Sequence, residues 1–243
     1  MTAALDRQTV VLIGGSAGIG LETARLARAS GADVVLTGRD PERLRRAADE
    51  VGAVRTAAFD ATDTPRLDGF FDELPAPVDH LLVTAGGSHY GPIEEMDVDQ
   101  TQRDVDEHLF LTLRVARHAK TRMRPGGALL FMSGTGARRP AVGLTVAATF
   151  TAGLPALIAN LALELAPVRV NLIAAGFVDT PLSASILGDQ LEGRREQLRS
   201  TLPIGRVVGP ADVAALAVHL MTNTALTGAT YDIDGGQQLV ASG

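Results

Sequence analysis

At 243 residues with 46% hydrophobic side chains, the chain can build one sizeable core, and it has no cysteine, which rules out disulfides and thiolate-held metals. Its net charge of −6, with acids and bases interspersed, excludes the clustered positive surface of a nucleic-acid binder. The five histidines show no metal-ligand spacing, and of 22 basic residues only Lys120 is a lysine, so any amine chemistry would fall to that residue.

The opening MTAALDRQ lacks the basic-then-apolar pattern of a secretory signal, and no apolar run approaches membrane-spanning length, so a cytoplasmic location without membrane contact is expected. Residues 9–14 are apolar and β-branched and end in glycines, predicting a strand, with a helix over 19–30 behind it. Residues 32–37 predict a second strand; 41–51 predict a helix with Asp40 as N-cap and proline in the first turn. Residues 53–59, 80–84, 128–133, 169–174 and 229–233 supply five further strands. Apolar, non-alternating strands separated by helices form a parallel sheet covered on both faces. With right-handed crossovers this is a doubly wound Rossmann sheet of seven strands in a three-layer α/β/α fold. No linker or internal repeat interrupts it, so residues 1–243 read as a single dinucleotide-binding domain.

The first strand runs into GGSAGIG, with Gly14, Gly18 and Gly20 set between a predicted strand and a predicted helix. There, glycines let the backbone turn sharply and approach a pyrophosphate, while the helix start presents unpaired N–H groups and positive dipole to phosphates. A plain β–α turn with no ligand needs fewer glycines. At the end of strand two, a carboxylate would accept hydrogen bonds from ribose hydroxyls, whereas an arginine would accommodate a 2′-phosphate. The chain reads Thr37-Gly38-Arg39, with no carboxylate before Asp40, and Ser16 can donate beside Arg39. NADP(H) is therefore the favoured cofactor; an Arg39 that only stacks on adenine leaves NAD(H) as the alternative.

Over residues 8–240 the chain resembles the short-chain dehydrogenase/reductase family. The spacing Gly14-x-x-x-Gly18-x-Gly20 matches that family's glycine motif, and Asp60 in FDATD matches its adenine-contacting aspartate. Val83-Thr84-Ala85-Gly86 stands where the family has Asn-Asn-Ala-Gly, and Ala175-Gly176 with Thr180 matches its nicotinamide-holding Pro-Gly…Thr loop. Thr227-Gly228 and Asp234-Gly235-Gly236 match its ending, and with Asp60 and Thr180 they disfavour a methyltransferase on a similar sheet. The resemblance implies a cofactor site made by Gly14, Ser16, Gly18, Ile19, Gly20, Arg39, Asp60, Ala61, Ala85, Gly86, Val178 and Thr180.

It also implies an active site of asparagine, serine, tyrosine and lysine. In the family the tyrosine moves the proton, the lysine lowers its pKa and grips the nicotinamide ribose, the serine orients the carbonyl, and the asparagine holds a relay water. Counting from Ala152-Gly153-Leu154 and Leu161-Ala162…Glu164 puts the tyrosine position on Ala147 and the lysine position on Thr151. The serine position falls on Gly134, and the asparagine position, placed from Met123 and Gly126-Gly127, falls on His108. All four differ from the family pattern. Ser133 and Thr135 flank Gly134, but alternation along a strand turns both away from the substrate side. Thr149 lies on the helix face opposite Ala147, and Tyr231 falls within the last strand. Tyr90 and His89 follow Gly86-Gly87 in a loop that borders the substrate cleft of such folds. His108 and Tyr90 are the candidate catalytic residues, since a histidine can shuttle protons near neutral pH without a lysine. The plainer alternatives are a His108 that braces the helix backbone and an exposed polar loop at His89 and Tyr90. Pro155, four residues after Thr151, removes an N–H and predicts a bend or opening there.

Residues 183–200 stand where the family has its variable substrate-covering lid, with Ile186, Leu187, Leu191 and Leu198 available to close over a pocket. The resemblance further implies a homodimer or homotetramer formed through helices 97–123 and 146–166 and the last strand. Two functions follow. One is an NADPH-dependent carbonyl reductase acting on a small-molecule substrate with a non-standard proton donor. The other is a catalytically silent dinucleotide-binding sensor or partner subunit.

Overall fold

The computed structural model describes residues 4–87 and 89–240. In chain order the elements are β1 (Thr9–Ile13), α1 (Gly18–Ala29), β2 (Asp33–Gly38), α2 (Pro41–Val51), β3 (Arg55–Ala58), α3 (Thr64–Glu73), β4 (Val78–Val83), α4 (Val98–Val105) and α5 (Leu111–Arg122). They continue through β5 (Met123–Gly134), α6 (Thr145–Glu164), β6 (Arg169–Ala175), α7 (Pro181–Leu187), α8 (Leu191–Thr201), α9 (Pro210–Thr222) and β7 (Thr230–Ile233). The strands form one parallel sheet in the order β3-β2-β1-β4-β5-β6-β7, the expected Rossmann fold. Chain direction across the sheet reverses between β1 and β4, which opens a crevice beyond their carboxyl ends.

Both faces are covered. Val11 and Ile13 of β1 pack with Leu67, Phe71, Val115 and Ile158 on one side, while Val10 and Leu12 pack with Ala24, Ala27, Val213 and Leu220 on the other. Every residue of β4 and β6 is buried, the polar Asp79, His80, Arg169 and Asn171 included, so neither strand shows an alternation of buried and exposed positions. Asp40 caps α2 as expected, accepting from the Arg43 N–H at 3.0 Å, and this bond holds its carboxyl below the usual range.

Four expectations are corrected. Residues 97–123 are not one helix: a π-helical turn over Asp106–Phe110 separates α4 from α5. The segment ahead of the turn, Val98–Val105, carries no apolar stripe whose shift would mark the extra residue, so periodicity cannot register it. Residues 183–200 are likewise two helices divided by a 3₁₀ turn at Gly188–Gln190, and the first starts earlier, at Pro181, behind a Thr180–Ser183 capping box. Strand five begins at Met123, five residues ahead of its apolar core, through a register shift against β4. Finally, α6 is a 20-residue helix long and apolar enough by length and composition to cross a membrane, where no such run was expected. Here Leu154, Ile158 and Leu161 pack it against the sheet while Leu163 stays exposed, and it runs unbroken through Pro155.

Two buried polar groups tie the amino end of the sheet together. Arg169 is 5% exposed, and its guanidinium donates to the carbonyls of Gly126, Leu220, Met221, Asn223 and Leu226, closing the carboxyl end of α9 onto β6. That arrangement satisfies helix-end carbonyls and complements the dipole. His80 on β4 accepts from the Ala128 N–H at Nδ1 (3.2 Å), so Nε2–H donates to Gln8 Oε1 (2.6 Å) and the ring is neutral. Burial, then the charges of Arg169 and Arg124, push its pKa down to about 4 from 6.5. The fold therefore binds the neutral form: this contribution is full above about pH 6.5 and is lost as pH falls toward 4, at about 1.4 kcal/mol per unit. The destabilisation caused by His80→Gln should accordingly shrink by roughly 2–3 kcal/mol between pH 7.5 and 4.5 in urea unfolding. A cost that does not change with pH would show that His80 protonates freely in the fold.

Candidate functional site

A cleft of about 1120 Å³ lies at the carboxyl ends of β1, β4, β5 and β6, where the sheet order reverses. One end is built by the loop between β1 and α1. Gly14 has φ +99°, and a Cβ there would sit 2.7 Å from the Ala85 nitrogen. A Cβ on Gly20 would sit 2.3 Å from the Gly14 carbonyl oxygen, closer than any side chain tolerates. The Thr84 hydroxyl donates to that same oxygen at 2.9 Å, so the end of β4 braces the loop. Helix α1 starts at Gly18 with no side-chain cap and no acid in its first turn, which leaves its leading N–H groups for a ligand. Chain and helix together form a cradle for a diphosphate.

The other expected cofactor residues border the same cleft. Ser16 is buried against Gly38, where a Cβ would meet its Oγ at 2.8 Å, and Arg39 follows at the open end of β2. Arg43, one turn into α2, joins Arg39 on the cleft, and neither pairs with a carboxylate among the described residues. Sequence reasoning missed Arg43, although its spacing of four from Arg39 was there to read. Asp60 is held in place by the Thr62 N–H (2.9 Å) and hydroxyl (2.8 Å), with Ala61 buried beside it. Ile19, Ala85 and Gly86 line the floor; Val178, bridged to Val208, and Thr180 line the opposite wall. Thr180 faces the glycine loop, since a Cβ on Gly18 would be 3.5 Å from its Cβ.

The four positions assigned to the family's active site also come together on this cleft: His108, Gly134, Ala147 and Thr151 all line it, as does Tyr90. His108 sits in the π-helical turn, where its Nδ1 lies 2.9 Å from the Asp104 carbonyl and its ring stacks on Phe150, centroids 4.6 Å apart. A carbonyl only accepts, so Nδ1 carries the proton in this bond. His108 thus bonds to the helix backbone and also borders the cleft. Ser133 also borders the cleft, where alternation turned it away, because successive residues at a strand's end form the floor of the crevice. Thr135 does turn away, and its Oγ1 is buried without a partner among the described residues. His89 stays off the cleft: its Nδ1 is 2.8 Å from buried Asp104, and Gln100 joins them. Thr149 bonds back to the Thr145 carbonyl on the exposed face, and Tyr231 packs within β7. Of the apolar residues expected to form a lid, Ile186, Leu187 and Leu198 line the cleft and Leu191 does not. Phe150 and Glu107, which accepts from the Gly87 N–H at 2.8 Å, were not singled out beforehand. Both owe their place to a neighbour across the fold that local sequence does not reveal.

The sequence profile of the family described as enoyl-(acyl carrier protein) reductase matches residues 14–238. The short-chain dehydrogenase/reductase malC of Malbranchea aurantiaca is 28% identical, with 97% of this chain and 96% of that protein covered. Galactitol 2-dehydrogenase (L-tagatose-forming) of Cereibacter sphaeroides is 34% identical, covering 96% and 95%. Among solved structures, the MalC reductase/Diels-Alderase superposes at TM-score 0.89 with 27% identity, over 98% of this chain and 99% of that one. A small-chain dehydrogenase in complex with NADPH superposes at 0.82 with 27% identity, over 96% and 100%.

Proposed function

The chain belongs to the short-chain dehydrogenase/reductase family, and on that premise we propose that it is an NADPH-dependent carbonyl reductase whose proton donor is His108. The observation that carries this reading is the placement of His108 on the same cleft as the glycine cradle, beside Gly134, Ala147 and Thr151. The cradle fits a dinucleotide diphosphate: the space a Cβ would fill at Gly14 and Gly20 is taken by neighbouring backbone, and the N-terminus of α1 carries no acid. Gly14, Gly18 and Gly20 would hold the diphosphate, Arg39 and Arg43 with Ser16 the 2′-phosphate, and Asp60 and Ala61 the adenine. Ala85, Gly86, Val178 and Thr180 would hold the nicotinamide half. When bound, the dinucleotide supplies the hydride. His108 donates the proton that goes to the carbonyl oxygen, while the Asp104 carbonyl keeps the ring oriented through Nδ1. Tyr90 offers a second hydroxyl at the rim.

Within one domain, residues 183–200 serve as the lid over the substrate. The exposed Leu113 of α5 and Leu163 of α6 belong to the helix faces assigned to a homodimer or homotetramer. One observation favours the silent reading. Gly134, Ala147 and Thr151 offer no ionisable group where the family places its serine, tyrosine and lysine. Calorimetric titration with NADPH and NADH, followed by NADPH oxidation across a broad panel of ketones and aldehydes, separates the two. Tight NADPH binding with substrate-dependent turnover is the expected result. Binding without turnover on any carbonyl would make the chain a sensor or partner subunit, and no binding of either nucleotide would end both readings.

A further inference from the structure

Helix α8 carries three arginines close in sequence, and they are treated differently. Arg195 makes a bidentate pair with Asp179 (3.0 and 2.7 Å) and reaches Glu192 (3.2 Å). Arg199 pairs with Glu192 and Glu196, each at 3.1 Å. Arg194 alone of the three lines the cleft, and its only described side-chain partner is the neutral Gln197 Oε1, at 2.6 Å. Its side chain is half-buried, and the apolar Leu182, Ile186 and Leu198 line the same cleft. The carboxylates that line the cleft, Asp60 and Glu107, are engaged with Thr62 and the Gly87 N–H. A guanidinium that is partly withdrawn from water and matched only to an amide oxygen keeps most of its capacity for an oxyanion.

We propose that Arg194 is a specificity residue that anchors a substrate combining an apolar body with an oxyanion, a carboxylate or a phosphate monoester. This deepens the carbonyl-reductase reading, on which it rests, by naming the class of carbonyl compound. The fork geometry of Arg194 suits either oxyanion, and Leu182, Ile186, Leu187 and Leu198 on the cleft offer apolar surface to the substrate body. Neighbouring Arg195 and Arg199 are spent on protein carboxylates, so on α8 Arg194 alone is left to anchor an anion.

The test is calorimetric titration of the wild type, Arg194→Gln and Arg199→Gln with 5-oxo-5-phenylpentanoate, its methyl ester and phenyl phosphate. Each protein is titrated nucleotide-free and saturated with NADPH. One of the two oxyanions should bind the wild type at least about tenfold tighter than the ester. That preference should vanish in Arg194→Gln, leave ester binding unchanged, and persist in Arg199→Gln. The tighter of the two oxyanions identifies the source. Equal binding of acid and ester, no measurable binding of either oxyanion, or a preference that survives Arg194→Gln or is lost equally in Arg199→Gln overturns the proposal. Because binding is read with and without nucleotide, failure to bind NADPH counts against the proposed function alone.

Discussion

Replacing Gly20 with alanine should weaken NADPH binding by about five- to a hundredfold, with the overall fold retained. The new Cβ would lie 2.3 Å from the Gly14 carbonyl oxygen and 2.7 Å from the Thr84 hydroxyl, and both are fixed, one as backbone and one by its bond to that carbonyl. Neither can yield like the tip of a flexible side chain, so the loop and the start of α1 must separate. Overpacking of this kind costs about 1–3 kcal/mol, and each 1.4 kcal/mol is tenfold in affinity. The loss falls on binding because the displaced atoms are those meant to approach the diphosphate. Gly153→Ala is the matched control: it lies in α6 with nothing within 4 Å of a built Cβ, and a helix interior favours alanine by about 1 kcal/mol. Calorimetry with NADPH and thermal melts on both variants make the comparison. Wild-type affinity in Gly20→Ala would show that the cradle is not where the nucleotide sits.

His108→Ala should lower NADPH-driven carbonyl reduction by about 10²–10⁴ while leaving NADPH affinity within a few fold. Loss of a positioned acid acts on the proton transfer, whereas the residues proposed to hold the nucleotide lie elsewhere on the cleft. Removing the ring also takes away its stack on Phe150 and its bond to the Asp104 carbonyl. His108→Phe therefore supplies the second arm, keeping an aromatic ring against Phe150 without a transferable proton. Both variants should lose turnover alike if proton donation is the role. Activity retained in His108→Phe would reduce the residue to bracing the π-helical turn. Tyr90→Phe should then be the variant with the larger effect, since Tyr90 is the other candidate on the cleft.

How much of this was legible in advance depends on the range of each interaction. The central strands could be read because they hold short apolar runs buried on both faces, as in residues 81–83 of β4 and 172–175 of β6. The α2 cap could be read because Asp40 and the Arg43 N–H it accepts from are three residues apart. The glycine cradle was legible for the same local reason: spacing within seven residues already implied a close backbone approach. Harder to see were the break in helix 97–123, where α4 has no apolar stripe to shift, and the 3₁₀ break within residues 183–200. Arg43 belonged to a pattern that could have been noticed; Phe150 and Glu107 did not, because their partners, His108 and Gly87, lie 42 and 20 residues away in sequence.

The amino-acid order by itself determined the parallel sheet, the helix layers and the loop that turns its backbone toward a phosphate, since these follow from periodicity and from where glycine is required. Only the tertiary structure decided which charges are free to act. Arg194 and Arg195 are adjacent and chemically identical, yet one is bound to Asp179 from the loop after β6 and the other faces the cleft with an amide for company. Nothing local separates them. Pairing depends on which distant groups the folded chain brings within a few ångströms, because Coulomb and hydrogen-bond energies fall steeply with a separation that sequence spacing does not encode.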